Sequence, residues 1–290
     1  MIQVGRRTLR VVATVTMLAT LVGSCGNDAR SAPCPPSIYR SNSTLIIAHA
    51  GGDFFGPPNT IEMMRAAKAA GADILDADVR ITKDGVLVAA HDDLVQPASG
   101  PPVSIVNITY AELQRIDLGD TWASPAGNYP LAGSHVSVPP IEDVMNAFPD
   151  RRVGLEFKID GAEDAMCSVL RRLNRVGDAF VSSGGDGPVT RFKSVCPEAV
   201  TTVTDAMEAE YLHAEATGSP WCAPVGIGQP PLVDRGVALT KANVRWDHDH
   251  GLADYTYTAN TEPELRAVAR LGVDAVYTDR ADLARAILKH

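Results

Sequence analysis

Four side chains stand out by type and spacing: His49, Asp76, Asp78 and His91. Asp76 and Asp78 lie two apart in the apolar run Ile74-Leu75-Asp76-Ala77-Asp78-Val79, and residues two apart on a strand share a face. Two carboxylates on one face of a buried strand repel each other, and burying them unpaired is expensive. A cation removes that cost, and an all-oxygen donor set favours a hard ion, Mg²⁺ or Ca²⁺, over zinc. Each histidine follows an apolar run, Leu45–Ala48 before His49 and Val86–Ala90 before His91, so each is expected just past the C-terminal end of a buried strand. In α/β folds that edge is where ligands bind and reactions run. A lone histidine reads as structural. Two beside paired acids read as an acid–base pair titrating near neutrality.

The elements that would position these groups are legible around them. Pro58-Asn59-Thr60 opens an amphipathic helix from Ile61 to Ala70, closed by Gly71. Thr82-Lys83-Asp84-Gly85 is a turn. Further strands are expected at 152–159, 179–183, 200–204, 237–239, 253–258 and 273–279, with helices at 141–148, 162–176, 189–195, 206–216, 262–271 and 281–288. Glu156 and Lys158 share one face of the 152–159 strand. This rhythm predicts a (β/α)₈ TIM barrel over residues 44–290, since about 250 residues is the usual size of one. The Pro-, Gly- and Ser-rich stretch from Leu94 to Pro140, with one short helical piece at 109–115, is an insertion after the strand ending at His91. Arg245-Trp246-Asp247-His248-Asp249-His250-Gly251 invites a metal-site reading, but it reads as the end of a helix with a glycine cap. His248 and His250, two apart, do not share a helix face.

The first 24 residues carry Arg6, Arg7 and Arg10 before the apolar run Val11–Val22, too short for a membrane span of about 20 residues and suited to a signal peptide. Leu21-Val22-Gly23-Ser24-Cys25 looks like a bacterial lipobox, which makes Cys25 the lipidated residue, 25–43 a flexible tether and the protein an exported, membrane-anchored one. Removing residues 1–24 leaves 23 basic and 35 acidic side chains, a net of about −12. Such a surface argues against nucleic acid as a partner. Four cysteines remain after Cys25. Their spacing fits no zinc pattern, and an oxidising compartment favours disulfides. Of the three connectivities, Cys167–Cys196 with Cys34–Cys222 is favoured, free buried thiols being the alternative.

Taken together the motifs resemble the glycerophosphodiester phosphodiesterases. They stand here as His49-Ala50-Gly51, Pro57-Pro58-Asn59-Thr60, Gly71-Ala72-Asp73, Asp76-Ala77-Asp78-Val79, Thr82-Lys83-Asp84-Gly85 and His91-Asp92, in the family's order and spacing. The resemblance runs from about Leu45 to Leu288. It implies a divalent metal held by Asp76, Asp78 and Glu156, Lys158 as a phosphate-binding cation, and His49 and His91 as acid and base. It also implies Asn59 and Tyr257 at the substrate, Tyr257 standing where the family has Trp, and an insertion that covers the barrel mouth. The family is thought to use the substrate's own glycerol hydroxyl as nucleophile, through a cyclic phosphate. Three departures change the site: Ala50 replaces the family arginine, Pro58 a glutamate, and Asp76 stands for Glu. The expected function is hydrolysis of small-molecule or lipid-headgroup phosphodiesters to glycerol 3-phosphate and an alcohol. The alternatives are a phospholipase D-like lyase forming a cyclic phosphate, and a catalytically impaired phosphodiester-binding lipoprotein.

Overall fold

The computed structural model describes residues 33–234 and 236–288; the expected signal peptide, Cys25 and the first part of the expected tether lie outside the described residues. Eight parallel strands among them form a nearly closed barrel: β1 Leu45–Ala48, β2 Ile74–Ile81, β3 Arg152–Phe157, β4 Ala179–Ser183, β5 Val200–Thr201, β6 Ile227–Gly228, β7 Ala253–Thr256 and β8 Ala275–Thr278. Each is followed by a helix: α1 Ile61–Ala69, α2 Ile141–Ala147, α3 Glu163–Arg172, α4 Asp186–Val195, α5 Asp205–Thr217, α6 Lys241–Asp249, α7 Glu262–Leu271 and α8 Ala281–Leu288. The hydrogen-bonded path runs β5-β4-β3-β2-β1-β8-β7-β6. Between β5 and β6 the wall meets at a single parallel pair, Thr202 with Ile227, and the Val203 N–H donates to Ile227 O at 2.9 Å.

Alternation on the strands sorts the core into two layers. Ile47, Ile74, Phe180, Ile227, Ala253, Tyr255, Ala275 and Tyr277 pack together inside the barrel, while Leu75, Val79, Leu155, Val181 and Val276 pack outward against the helices. Asp76, Asp78 and Glu156 share the parity of Ile74 and therefore of the interior. Register fixes their neighbours: Asp78 lies opposite Glu156, and Asp76 opposite Gly154. A Cβ at residue 154 would come within 2.9 Å of Asp76 Oδ1 and 2.7 Å of the Phe180 ring, so glycine there makes room for the buried acid.

Three expectations change. Leu87–Ala89 is not a barrel strand; it pairs antiparallel with β2, Val79 opposite Ala89. The tight turn at 82–85, with Gly85 at φ 83°, folds the chain straight back, whereas a parallel neighbour needs a crossover of a dozen residues or more. Among the described residues Val237–Ala238 pairs only with Val233–Asp234, in an antiparallel hairpin. The barrel position belongs to β6, whose two residues in a Gly- and Pro-rich stretch are too few to show a period. The tether expected over 25–43 is, from Pro33 on, part of the barrel's closed end: Tyr39 is buried under the interior cluster with the Arg152 guanidinium over its ring, Ser37 Oγ donates to Gly226 O at 2.6 Å, and the Ser41 N–H donates to Asp274 at 2.8 Å. Tyr39 supplies the apolar anchor that the Pro- and Ser-rich composition hides.

Disulfides join Cys34 to Cys222 and Cys167 to Cys196. The 94–140 insertion leaves and returns on the mouth side and has its own small core of Val88, Ala90, Val95, Ile105, Leu113 and Val138. Its short helix, Tyr110–Leu113, starts from a capping box between Thr109 and Glu112. α6 ends as expected, with Gly251 at φ 88°. His248 Nε2 bonds Asp274 at 2.8 Å, while His250 stacks on Trp246 and its Nδ1 bonds Trp246 O at 2.7 Å, so the two rings are held by different partners. No helix among the described residues is long and apolar enough to cross a membrane.

Candidate active site

The mouth of the barrel is built on β2 and β3. Asp76 and Asp78 are both almost wholly buried, as their inward parity demands. Asp76 Oδ2 accepts the Ala50 N–H at 3.2 Å. Burial, and then the charge of Asp78, push the Asp76 carboxyl up to about 7. Asp78 Oδ2 accepts from Asn59 Nδ2 at 2.7 Å, and the Asp78 N–H donates back to Asn59 Oδ1 at 2.8 Å. Lys158 Nζ lies 2.6 Å from Glu156 Oε1 and 3.1 Å from Asp78 Oδ1. Burial works against its charge, yet the two carboxylates outweigh it and hold the ammonium above its usual range. Ala50 and Asn59 have φ of 46° and 62°, two of the four described non-glycine residues in the left-handed region. Backbone strain therefore gathers where the loop after β1 delivers groups to the acids.

These residues fit a divalent cation. The donors are carboxylate oxygens on a packed sheet, Asp76 is buried without a cation of its own, and an ammonium already stands between Asp78 and Glu156. Convergence is partial: the three carboxylates do not all come within 4.8 Å of one another. Among the described residues the trio of ligand-type groups that does, Cys167, Cys196 and Glu198, has its two sulfurs joined in a disulfide and is no metal site.

The histidines are held differently. His49, just past β1, presents Nδ1 to Asp279 Oδ1 at 2.8 Å. That hydrogen bond, opposed by burial and helped by Asp76, raises His49 to about 9. Asp279, just past β8, is itself gripped by Asn260, whose Nδ2 donates to Oδ2 and whose Oδ1 accepts the Asp279 N–H at 2.8 Å. His91 lies beyond Ala90, whose N–H donates to Asp78 O at 2.9 Å. Its ring is exposed and bonds the neighbouring Asp92 at 2.9 Å, and Arg80 Nε donates to its carbonyl. Asn59, expected at the substrate, is 2% exposed with both ends of its amide spent on Asp78; it positions that acid instead. Tyr257 is 45% exposed just past β7, so it is not core packing.

Sequence reasoning assigned no site role to Asp279 or Asn260. An acid at the C-terminal end of the last barrel strand was the available signal for Asp279. It also missed Gln229, just past β6, which donates to the buried Tyr277 hydroxyl at 2.6 Å beneath the mouth.

Comparison with known proteins agrees with this architecture. The model of the glycerophosphoryl diester phosphodiesterase family matches residues 49–283. A probable glycerophosphodiester phosphodiesterase 2 of Mycobacterium tuberculosis is 28% identical over 258 residues, 86% of this chain and 92% of that one. A Bacillus subtilis glycerophosphodiester phosphodiesterase is 24% identical over 274 residues, covering 89% of this chain and 91% of its own. Among solved structures, the glycerophosphoryl diester phosphodiesterase domain of a Mycobacterium tuberculosis protein superposes with a TM-score of 0.74 at 20% identity, over 84% of this chain and 99% of that one. With barrel, interior acids and family model in agreement, the chain belongs to the glycerophosphoryl diester phosphodiesterase family.

Proposed function

We propose that the chain is an exported, lipid-anchored phosphodiesterase that hydrolyses glycerophosphodiesters to glycerol 3-phosphate and an alcohol, with Ca²⁺ or Mg²⁺ as cofactor. One observation carries the reading: the buried carboxylates Asp76 and Asp78, with Glu156 in register opposite Asp78, lie near a histidine whose Nδ1 is fixed by an aspartate. The cation, held by Asp76, Asp78 and Glu156, would neutralise phosphoryl oxygens and lower the pKa of the attacking hydroxyl. With Nδ1 on Asp279, His49 has Nε2 left for substrate, and near 9 it is protonated at neutral pH; it donates that proton to the departing alkoxide. His91, exposed at the rim, takes the proton of the attacking hydroxyl. Lys158 faces the phosphate and Tyr257 offers an aromatic wall to the alcohol. Export and anchoring rest on the basic, apolar leader and the residues around Cys25.

The test is release of glycerol 3-phosphate from glycerophosphocholine by the mature protein, abolished by chelator and by His91→Ala. Absence of turnover on any glycerophosphodiester with metal supplied defeats the proposal. Ala50, which offers the phosphate neither charge nor side-chain donor, supports the two other readings. A product lighter by one water marks the lyase; ligand retained without turnover marks the binding protein.

A further inference from the structure

We infer that Lys158 is the internal cation of the metal-free site: its ammonium holds Asp78 and Glu156 together and must leave them when a divalent ion enters. This rests on the metal reading above. The geometry is specific. Asp78 and Glu156 face each other in register on β2 and β3, and Nζ bridges them at 3.1 and 2.6 Å. The other Asp78 oxygen is bound to Asn59, and Asp76 turns to the Ala50 amide. No second lysine or arginine pairs with these three acids among the described residues. The bridging oxygens are thus claimed by the ammonium, and a divalent ion on the same oxygens would stand against a positive charge at close range.

Lys158 can yield. It follows β3 immediately, its stem is four flexible carbons, and its side chain is 18% exposed toward the mouth. Leaving the acids carries the ammonium outward, to where a phosphoryl oxygen would sit. One side chain thereby keeps the empty site from repelling itself and becomes available to an anion after the metal is in place. Glu156 and Lys158 on one strand face are, in this account, a lock and its placeholder rather than two independent contacts.

The test uses the mature protein and Ca²⁺ alone, whose oxygen distances of about 2.3–2.6 Å come nearest to those Nζ now spans. Calorimetry on Lys158→Met is expected to show Ca²⁺ bound at least about tenfold more tightly than in the parent. The metal-free variant should melt below the metal-free parent, while the two Ca²⁺-saturated proteins melt together. A side chain that only packs would move neither reading in that pattern. Equal or weaker Ca²⁺ binding by the variant overturns the inference, as does an unchanged metal-free melting temperature. Should Lys158→Met not fold without metal, the parent still decides. Its Lys158 ε-carbon resonance, assigned with Lys158→Arg, shifts on Ca²⁺ addition if the ammonium leaves; a resonance that stays put overturns the inference. Tighter Ca²⁺ binding by the variant, with no parental turnover of glycerophosphodiesters, upholds the placeholder and defeats the proposed function. No Ca²⁺ binding by either protein defeats the placeholder together with the metal site.

Discussion

The barrel wall is made of two unlike halves. β2 and β3 pair over six residues, from Ile74–Arg152 to Val79–Phe157, and carry the three acids proposed to hold the metal. β5 and β6 have two residues each and meet at one pair. Outside that seam, α5 buries little beyond Ala214, and the buried hydroxyls of Thr201 and Thr256 find no partner. Nearby, Asp254 is wholly buried and pushed up to about 10, by desolvation first and Asp247 second. What the ladder lacks there is supplied from outside: the Cys34–Cys222 bond ties the chain before β6 to the N-terminal segment, and Tyr211 of α5 packs edge-on against Trp246 of α6. The chemistry sits where main-chain hydrogen bonds are dense enough to hold repelling carboxylates. The seam has no such task and is fastened from outside.

The largest effect that would test this contrast comes from Asp76→Asn. Turnover of glycerophosphocholine should fall about 10³-fold, while the melting temperature of the metal-free protein stays level or rises, because a buried carboxyl near 7 no longer opposes folding. A melting point that falls with activity would break the division of labour. Next is His49→Gln, expected to cost about 10²-fold or more in kcat/KM. As a proton donor His49 must be charged, so the parent's activity is lost as pH rises through about 9. Asp279→Asn removes the main cause of that shift and should move the alkaline limb of the pH profile downward. The same raised pKa has a stability signature. Its contribution is complete below about 6.5, the unfolded value, and disappears as pH rises through about 9, so the parent's melting point should approach that of His49→Gln across this window in metal-free buffer.

At the seam the expectation reverses. Replacing both Cys34 and Cys222 by serine should cost about 2–5 kcal/mol in denaturant unfolding and leave kcat within about twofold of the parent. A large loss of kcat would mean that the seam shapes the site after all. The smallest effect is Tyr257→Ala, which removes one exposed aromatic wall and should raise KM a few-fold, worth about 1 kcal/mol, with kcat little changed.

The same contrast explains how much could be read beforehand. β1 to β4 and the acids on them follow from alternation, because runs such as Ile74–Val79 are long enough to show a period. β6 left no period, and the nearby Val237–Ala238 looked more like a strand than it did. Asn59 was visible as a helix-opening residue. That its amide turns back to clasp Asp78 depends on a positive φ that no spacing announces. Thr60 also looked like a capping side chain, but its hydroxyl donates to Pro57 O at 2.8 Å. Asp279 and His49 are 230 positions apart and meet only because β8 closes on β1. Local pattern reveals which residues are reactive; partners from opposite ends of the chain appear once the cylinder is shut.

Residue 50 bears on how such a site drifts over generations. Its link to Asp76 runs through the peptide amide, so among the twenty encoded residues only proline would delete it. Within what a φ of 46° tolerates, the side chain can therefore change while the acid keeps its donor, and an arginine could be traded for alanine at this spot without deleting that hydrogen bond.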